Sequence, residues 1–267
     1  MSLEGGAVIQ RPGYFGTGLL YLDGVDSYVT ETPAAGYGFE NNESFSVEFW
    51  VKAEYGVSRY LPIWSQYVAE DIYKGGCTIW ADTDTNQINY TANGQNIHLY
   101  ALNFPMSTWT HVTLCHNGVD GAYYFFINGT LKDTGSSGSP SYLTEWPLFL
   151  GKSATPGTAT NNFFKGYIDN FRLSKGIVRH TTSFSVPTAP LESDAYTTYL
   201  NDWEGIPIDI DVTMSESITF SDSWGVYDSI GTMNETVTIQ DLMSYEWSAA
   251  RPAYILLNNN MTGGLTI

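Results

Sequence analysis

The stretch GYIDNFRLSKGIVRH, residues Gly166 to His180, reads first as an extended strand whose side chains point to opposite faces in turn. Strict alternation puts Tyr167, Asp169, Phe171 and Leu173 on one face and Ile168, Asn170 and Arg172 on the other. Phe171 and Leu173 mark the first face as the buried one, so Asp169 is expected to be buried with them. An ionised carboxylate there requires a counter-charge, several donors or a metal ion.

The same period of two recurs upstream. In SFSVEFWVKA (Ser44 to Ala53) it assigns Phe45, Val47, Phe49 and Val51 to the core. Ser46, Glu48, Trp50 and Lys52 then face outward or toward a second layer. Thr110, Val112 and Leu114 alternate likewise. Ala122 to Ile127 is an aromatic strand, and Asn128-Gly129 behind it is a strong two-residue hairpin signal, with Leu131 leading the return strand. Leu19 to Asp23 forms a strand ending in a turn at Gly24 to Ser27. Two or three strands are expected between Tyr60 and Tyr90, with Asp82 to Asn86 as a hairpin tip, and a short one at Leu148 to Leu150. No segment carries a long amphipathic helical pattern. The expectation is an all-β antiparallel sandwich.

Composition agrees: 26 glycines, 15% aromatic and 15% charged residues suit strands joined by tight turns. The formal net charge of −17 argues against nucleic-acid binding, which draws its affinity from Lys and Arg on phosphates. No apolar run approaches the roughly 18 residues of a membrane span. The N-terminal stretch MSLEGGAVIQRPGYFG has neither a basic nor a continuous apolar signal region. Cys77 and Cys115 are too few for a disulfide framework, so reduced, packed thiols are expected.

Five segments, LLYLDGVDSYVTE, SFSVEFWVKA, TWTHVTLCHNG, YYFFINGTLKDTG and GYIDNFRLSKGIVRH, stand in the order and spacing of laminin-G-like domains. The chain therefore resembles the concanavalin A-like lectin and glucanase sandwiches, and the resemblance implies a jelly-roll sandwich. It further implies a structural calcium held by Asp169 with the turn Asp23-Gly24-Val25-Asp26, whose hard oxygens suit that ion. The other reading of Asp169 is a carboxylate satisfied by backbone donors at a strand end. Glu48 and Arg172 stand where this family often carries an acid and a base, and are expected to pair. The continuation SKGIVRHTTSFSVPTAPL resembles the version found in bacteriophage virion proteins, with Arg179 in a basic turn, Phe184 as the aromatic, and Pro187 with Pro190 at the exit.

Catalytic signals are missing. There is no E-x-D-x-x-E glycosidase strand, no G-x-S-x-G elbow and no phosphate loop, and His98, His111, His116 and His180 lack zinc spacing. Asp202-Trp203-Glu204 is a carboxylate cluster on a connecting segment. Asp82-Thr-Asp84-Thr-Asn86 lacks the glycine of a calcium-binding loop and reads as a hairpin. Sugar binding is the positive expectation, because a pyranose offers apolar C–H faces to aromatic rings and polar rims to Asp, Asn and backbone donors. Tyr73, Trp80, Asp82, Asp84 and Trp146 are the chosen ligand-binding candidates, from a pool of rim aromatics that includes Tyr55, Tyr60, Tyr100 and Tyr142.

Residues 186–205 have no sheet alternation and are expected to run extended over the sandwich, closing near Trp203. Beyond Pro207 two related segments, ESITFSD from Glu216 and ETVTIQD from Glu235, suggest a small β meander. The expected organisation is a sandwich over 1–205 and an acidic β-rich extension over 206–267 that makes assembly contacts. As a whole the chain is expected to be a non-enzymatic virion surface protein, a capsid decoration or a tail fibre or tip protein, made in the host cytoplasm and associated with other virion proteins. Homo-oligomerisation and glycan binding are part of that expectation. The alternative is a bacterial carbohydrate-binding or adhesion module.

Overall fold

The computed structural model describes residues 2–16, 18–31, 37–39, 42–66, 76–92, 97–136, 147–152, 162–201 and 203. All belong to the first of two units of the chain, Met1–Ile206; the second, Pro207–Ile267, lies outside the described residues, and with it the expected acidic extension.

Fifteen strands are described: β1 (Ser2–Glu4), β2 (Val8–Gln10), β3 (Leu19–Asp23), β4 (Tyr28–Glu31), β5 (Phe45–Ala53), β6 (Tyr60–Gln66), β7 (Cys77–Asp82), β8 (Gln87–Ala92), β9 (Ile97–Ala101), β10 (Thr110–Asn117), β11 (Ala122–Ile127), β12 (Thr130–Ser136), β13 (Leu148–Leu150), β14 (Lys165–Lys175) and β15 (Thr197–Asn201). No helix occurs among the described residues. The strands form two antiparallel sheets. The first runs β1-β4-β13-β6-β7-β8-β9; the second runs β12-β11-β10-β5-β14-β3-β2, with β15 paired to β14. Phe45, Val47, Phe49 and Val51 of β5 enter one hydrophobic core with Ile79, Ile88, Tyr90 and Leu99 of the first sheet. At one edge the Asp133 carboxylate of β12 accepts the Tyr100 amide of β9 at 3.0 Å and ties the sheets together.

The hairpin at Asn128-Gly129 forms as its residues dictate, with φ of +48° and +71° on the two turn positions. β15 departs from expectation: it is a short strand in a segment that lacks alternation, held by pairing to the second half of β14.

The alternation within β14 breaks where the sequence gives no warning. Asp169 pairs with Trp50 and Arg172 with Glu48, so two residues, Asn170 and Phe171, stand opposite Phe49 alone. This is a bulge with Asn170 at φ +50°, a conformation that Asn tolerates better than most residues. One extra residue inverts the facing of everything before it. Ile168, expected outward, is in the core, whereas Tyr167 and Asp169 lie on the outer face together with Arg172. Asp169 is buried, as expected, but on the side opposite to the one that strict alternation assigns.

A third layer buries it. Tyr14 stacks on Trp50 at 4.1 Å and donates its amide to Asp169 Oδ2 at 2.7 Å. Residues 177–194 cover the neighbouring part of the same face. There Glu48, 2% exposed, accepts Arg172 at 3.0 and 2.6 Å and lies 3.4 Å from Arg179, which also binds Asp194. The buried Glu48 carboxylate is thus compensated by two guanidinium groups, the second of which reaches the exposed Asp194 at its outer end.

Candidate functional site

The outer face of the first sheet is built differently. In β7 the odd residues Cys77, Ile79 and Ala81 are core, so Thr78, Trp80 and Asp82 point away from it. In β8 the core takes Ile88, Tyr90 and Ala92, leaving Gln87, Asn89 and Thr91 outward, and in β9 it takes Ile97, Leu99 and Ala101, leaving His98 and Tyr100. The register lines these up in rows: Pro62, Trp80, Asn89 and Tyr100 stand directly opposite one another across β6 to β9. Trp80 and Tyr100 thus flank Asn89, about 10 Å apart across two strand spacings. Tyr60, 41% exposed, meets Trp80 edge-on at 5.1 Å, and Tyr100 is 46% exposed.

Asn89 is enclosed, and its amide is half used. Oδ1 lies 3.0 Å from His98 Nε2, while Nδ2 has no hydrogen-bond partner. A buried donor left unmade costs about 1–3 kcal/mol. At the hairpin end of the same face Arg59 donates to Asp82 at 3.1 and 2.9 Å and lies 3.2 Å from Asp84. Burial of the Asp82 carboxyl raises its pKa, but the Arg59 guanidinium and the Asp84 and Thr85 amides outweigh this and hold it below the ordinary value.

Of the chosen ligand-binding residues, Trp80, Asp82 and Asp84 fall on this one face. Tyr73 and Trp146 lie outside the described residues, as does Tyr142. Sequence reading missed Asn89, His98 and Arg59 as neighbours of that group. The alternation of QINYTA and IHLYA was the available signal, since it turns Asn89, His98 and Tyr100 outward together. Asn89 also heads an Asn-x-Thr glycosylation sequon, and it is 1% exposed beneath the neighbouring rings.

The residues expected to share a calcium ion do not form one donor set. Asp23 stands opposite Lys165, whereas Asp169 lies four residues further along β14, about 13 Å away at roughly 3.3 Å per residue. Asp23 Oδ1 accepts the Val25 amide at 2.8 Å and the Ser27 hydroxyl at 2.6 Å, closing a turn in which Gly24 has φ +79°. A Cβ on Gly24 would lie 2.7 Å from Lys165 Cβ, and Asp26 packs its backbone against Gly5. Asp169, besides the Tyr14 amide, accepts Asn170 Nδ2 at 2.9 Å. Among the described residues no group of three His, Cys, Asp or Glu side chains is placed to hold a metal ion.

Other titratable groups serve the interior. Burial lowers His111 to about 3, helped by His180 and Arg172; Glu48 at 4.0 Å is too far for a hydrogen bond, and its charge is engaged by the two arginines. Burial raises the Cys115 thiol to about 11 and leaves it unreactive; Cys77 is buried as well. Of the Asp202–Glu204 cluster only Trp203, fully buried, is described.

With this geometry in hand, comparison with known proteins places the chain. The family model for the concanavalin A-like lectin/glucanases superfamily matches residues 22–180, more than half of the 267. The chain belongs to that superfamily. No curated protein matches it in sequence. Among solved structures it is similar to domain 4 of AbnA, an extracellular arabinanase from Geobacillus stearothermophilus, in complex with arabinotriose. That match has 20% identity and a TM-score of 0.48 over 66% of this chain and 78% of the other. A second is the CBM40 of the Ruminococcus gnavus IT-sialidase, at 14% identity and a TM-score of 0.43 over 57% and 94%. A third is a botulinum neurotoxin type C structure, whose cell entry depends on two ganglioside molecules, at 19% identity and a TM-score of 0.48 over 69% and 43%.

Proposed function

We propose that this superfamily member is a non-enzymatic glycan-binding protein and that its site is the outer face of β6 to β9. The observation that carries the reading is the row Trp80, Asn89, Tyr100: two aromatic side chains on either side of a hydrogen-bond donor that the protein itself leaves unpaired. A pyranose presents what such a row lacks, C–H faces for the rings and hydroxyls for the amide. We further propose that the protein is displayed on a virion surface as a capsid decoration or tail component, as an oligomer, with residues 206–267 in assembly contacts. The resemblance of residues 174–191 to the phage version of the domain supports this second step.

The test is a glycan array probed with the purified full chain, with calcium and with chelator, beside Trp80→Ala. Saturable binding that the substitution removes supports the site. A blank array from folded protein refutes it. Deleting 206–267 tests assembly separately: lost particle association with retained folding is the expected result, and unchanged association speaks for a free-standing binding module.

A further inference from the structure

Resting on the reading of the β6 to β9 face as a glycan site, we infer that its ligand is an uncharged, hydroxyl-rich pyranoside and that anionic sugars such as sialic acids and uronates are rejected. The inference comes from which charges the face carries. Strands β6 to β9 contain no Lys or Arg at all, as their sequences YLPIWSQ, CTIWAD, QINYTA and IHLYA make plain. Arg59, which adjoins the hairpin end, has its Nε and one terminal nitrogen on Asp82 and lies 3.2 Å from Asp84. One positive charge thus stands against two negative ones at this end. Asp133, bonded to the Tyr100 amide, stands at the far edge beside the exposed Lys132, so that edge carries no net positive charge. The chain as a whole carries −17.

A sugar carboxylate is recognised by Arg or by several convergent N–H groups, because its charge must be compensated when water is removed. Here the unused buried donor is one neutral amide. Its two N–H bonds sit on one uncharged nitrogen, which suits a hydroxyl oxygen and leaves the charge of a carboxylate uncompensated. His98 fixes which end of that amide is free: its Nε2 lies 3.0 Å from Asn89 Oδ1, so as a donor it commits the oxygen and leaves Nδ2 for a ligand. The same tautomer leaves His98 Nδ1, on an exposed ring, able to accept from a sugar hydroxyl. Nδ2 itself has no open surface, so the flanking rings, of which Tyr100 and His98 are exposed, must shift for a hydroxyl to reach it. Like-charge juxtaposition at an interface costs several kcal/mol, enough for at least about tenfold discrimination.

The experiment titrates the full chain with lactose, cellobiose and maltose and with charged partners of the same skeletons: α2,3- and α2,6-sialyllactose and cellobiuronic acid. The expected result is saturable binding of at least one neutral sugar, with its anionic partner at least about tenfold weaker. The gap should narrow in Asp84→Asn, whose carboxylate is largely exposed and whose removal spares the core, and it should narrow at high salt. Asn89→Ala, with folding checked by circular dichroism, should weaken the neutral sugar. Equal or tighter binding of the anionic partner, abolished by Trp80→Ala, overturns the inference and leaves the glycan site standing. Binding of none of the sugars, on the titration or the array, removes both.

Discussion

The outer faces of the two sheets use the same ingredients for different ends. On the second sheet Glu48, His111 and Trp50 are buried and Arg172 largely so, because the N-terminal stretch and residues 177–194, Arg179 among them, lie over that face. On the first sheet Arg59, Tyr60, Asp84, His98 and Tyr100 are exposed and Trp80 is partly so, around the buried Asn89, whose Nδ2 stays unpaired. Carboxylates, aromatics and arginines do not announce a binding site by their presence. What separates the two faces, among the described residues, is cover: where the chain returns over a sheet, its charged groups are paired internally and hold the fold together, although Trp50 Nε1 and His111 Nε2 there have no hydrogen-bond partner.

The largest effect expected from this contrast is on stability. Glu48→Ala leaves the Arg172 and Arg179 guanidinium groups facing each other without their shared acceptor, and loss of one member of a buried ion network costs about 3–5 kcal/mol. Chemical denaturation should show that drop for Glu48→Ala, while Trp80→Ala, at a partly exposed residue, changes the midpoint far less. Equal losses would erase the distinction between the faces.

Acid should act through the covered face as well. His111 sits near 3 in the folded protein and near 6.5 when unfolded, so the unfolded state takes up the proton first. Its contribution is present above about pH 6.5 and is lost as pH falls from there toward 3, at up to about 1.4 kcal/mol per pH unit. His116 and His180, also lowered by burial, act in the same direction. Melting temperature followed from pH 7 to pH 4 should fall, and less steeply in His111→Asn; parallel curves would clear His111 of the role.

A smaller effect is expected at the bulge. Asn170 holds a left-handed backbone, donates to Asp169 and accepts the Leu191 amide at 2.8 Å. Asn170→Ala loses both hydrogen bonds and keeps the strained φ, for a cost of about 1–3 kcal/mol by denaturant titration. Asn170→Gly relieves the backbone and should fall between Ala and the natural residue. A substitution without effect would mean the bulge is held by its neighbours alone.

How far the sequence could be read follows from the same physics. Period-two alternation places the core face of β5, and Asn128-Gly129 places its hairpin, because both depend on local geometry. Asp169 shows the limit: a single αL residue at Asn170 reverses the facing of the residues before it, and alternation carries no mark of an inserted residue. β15 was invisible because the pairing that makes it a strand is supplied by β14 rather than by its own pattern. Trp80, Asp82 and Asp84 could be chosen as rim residues from composition and turn chemistry. Their grouping with Arg59, Asn89, His98 and Tyr100 needed the register of four strands, which no single segment encodes.

The most direct test of the central claim sets one face against the other. The full chain, Trp80→Ala, Tyr100→Ala and, from the second sheet's outer face, Tyr167→Ala are titrated with the sugar that the array selects. Tyr167 is a fair control, since it is a partly exposed aromatic packed against Tyr21 and Lys52. The account expects binding to be lost or at least about tenfold weaker in the first two variants and unchanged in the third. Binding that survives Trp80→Ala and disappears in Tyr167→Ala would contradict it and move the site to the other sheet.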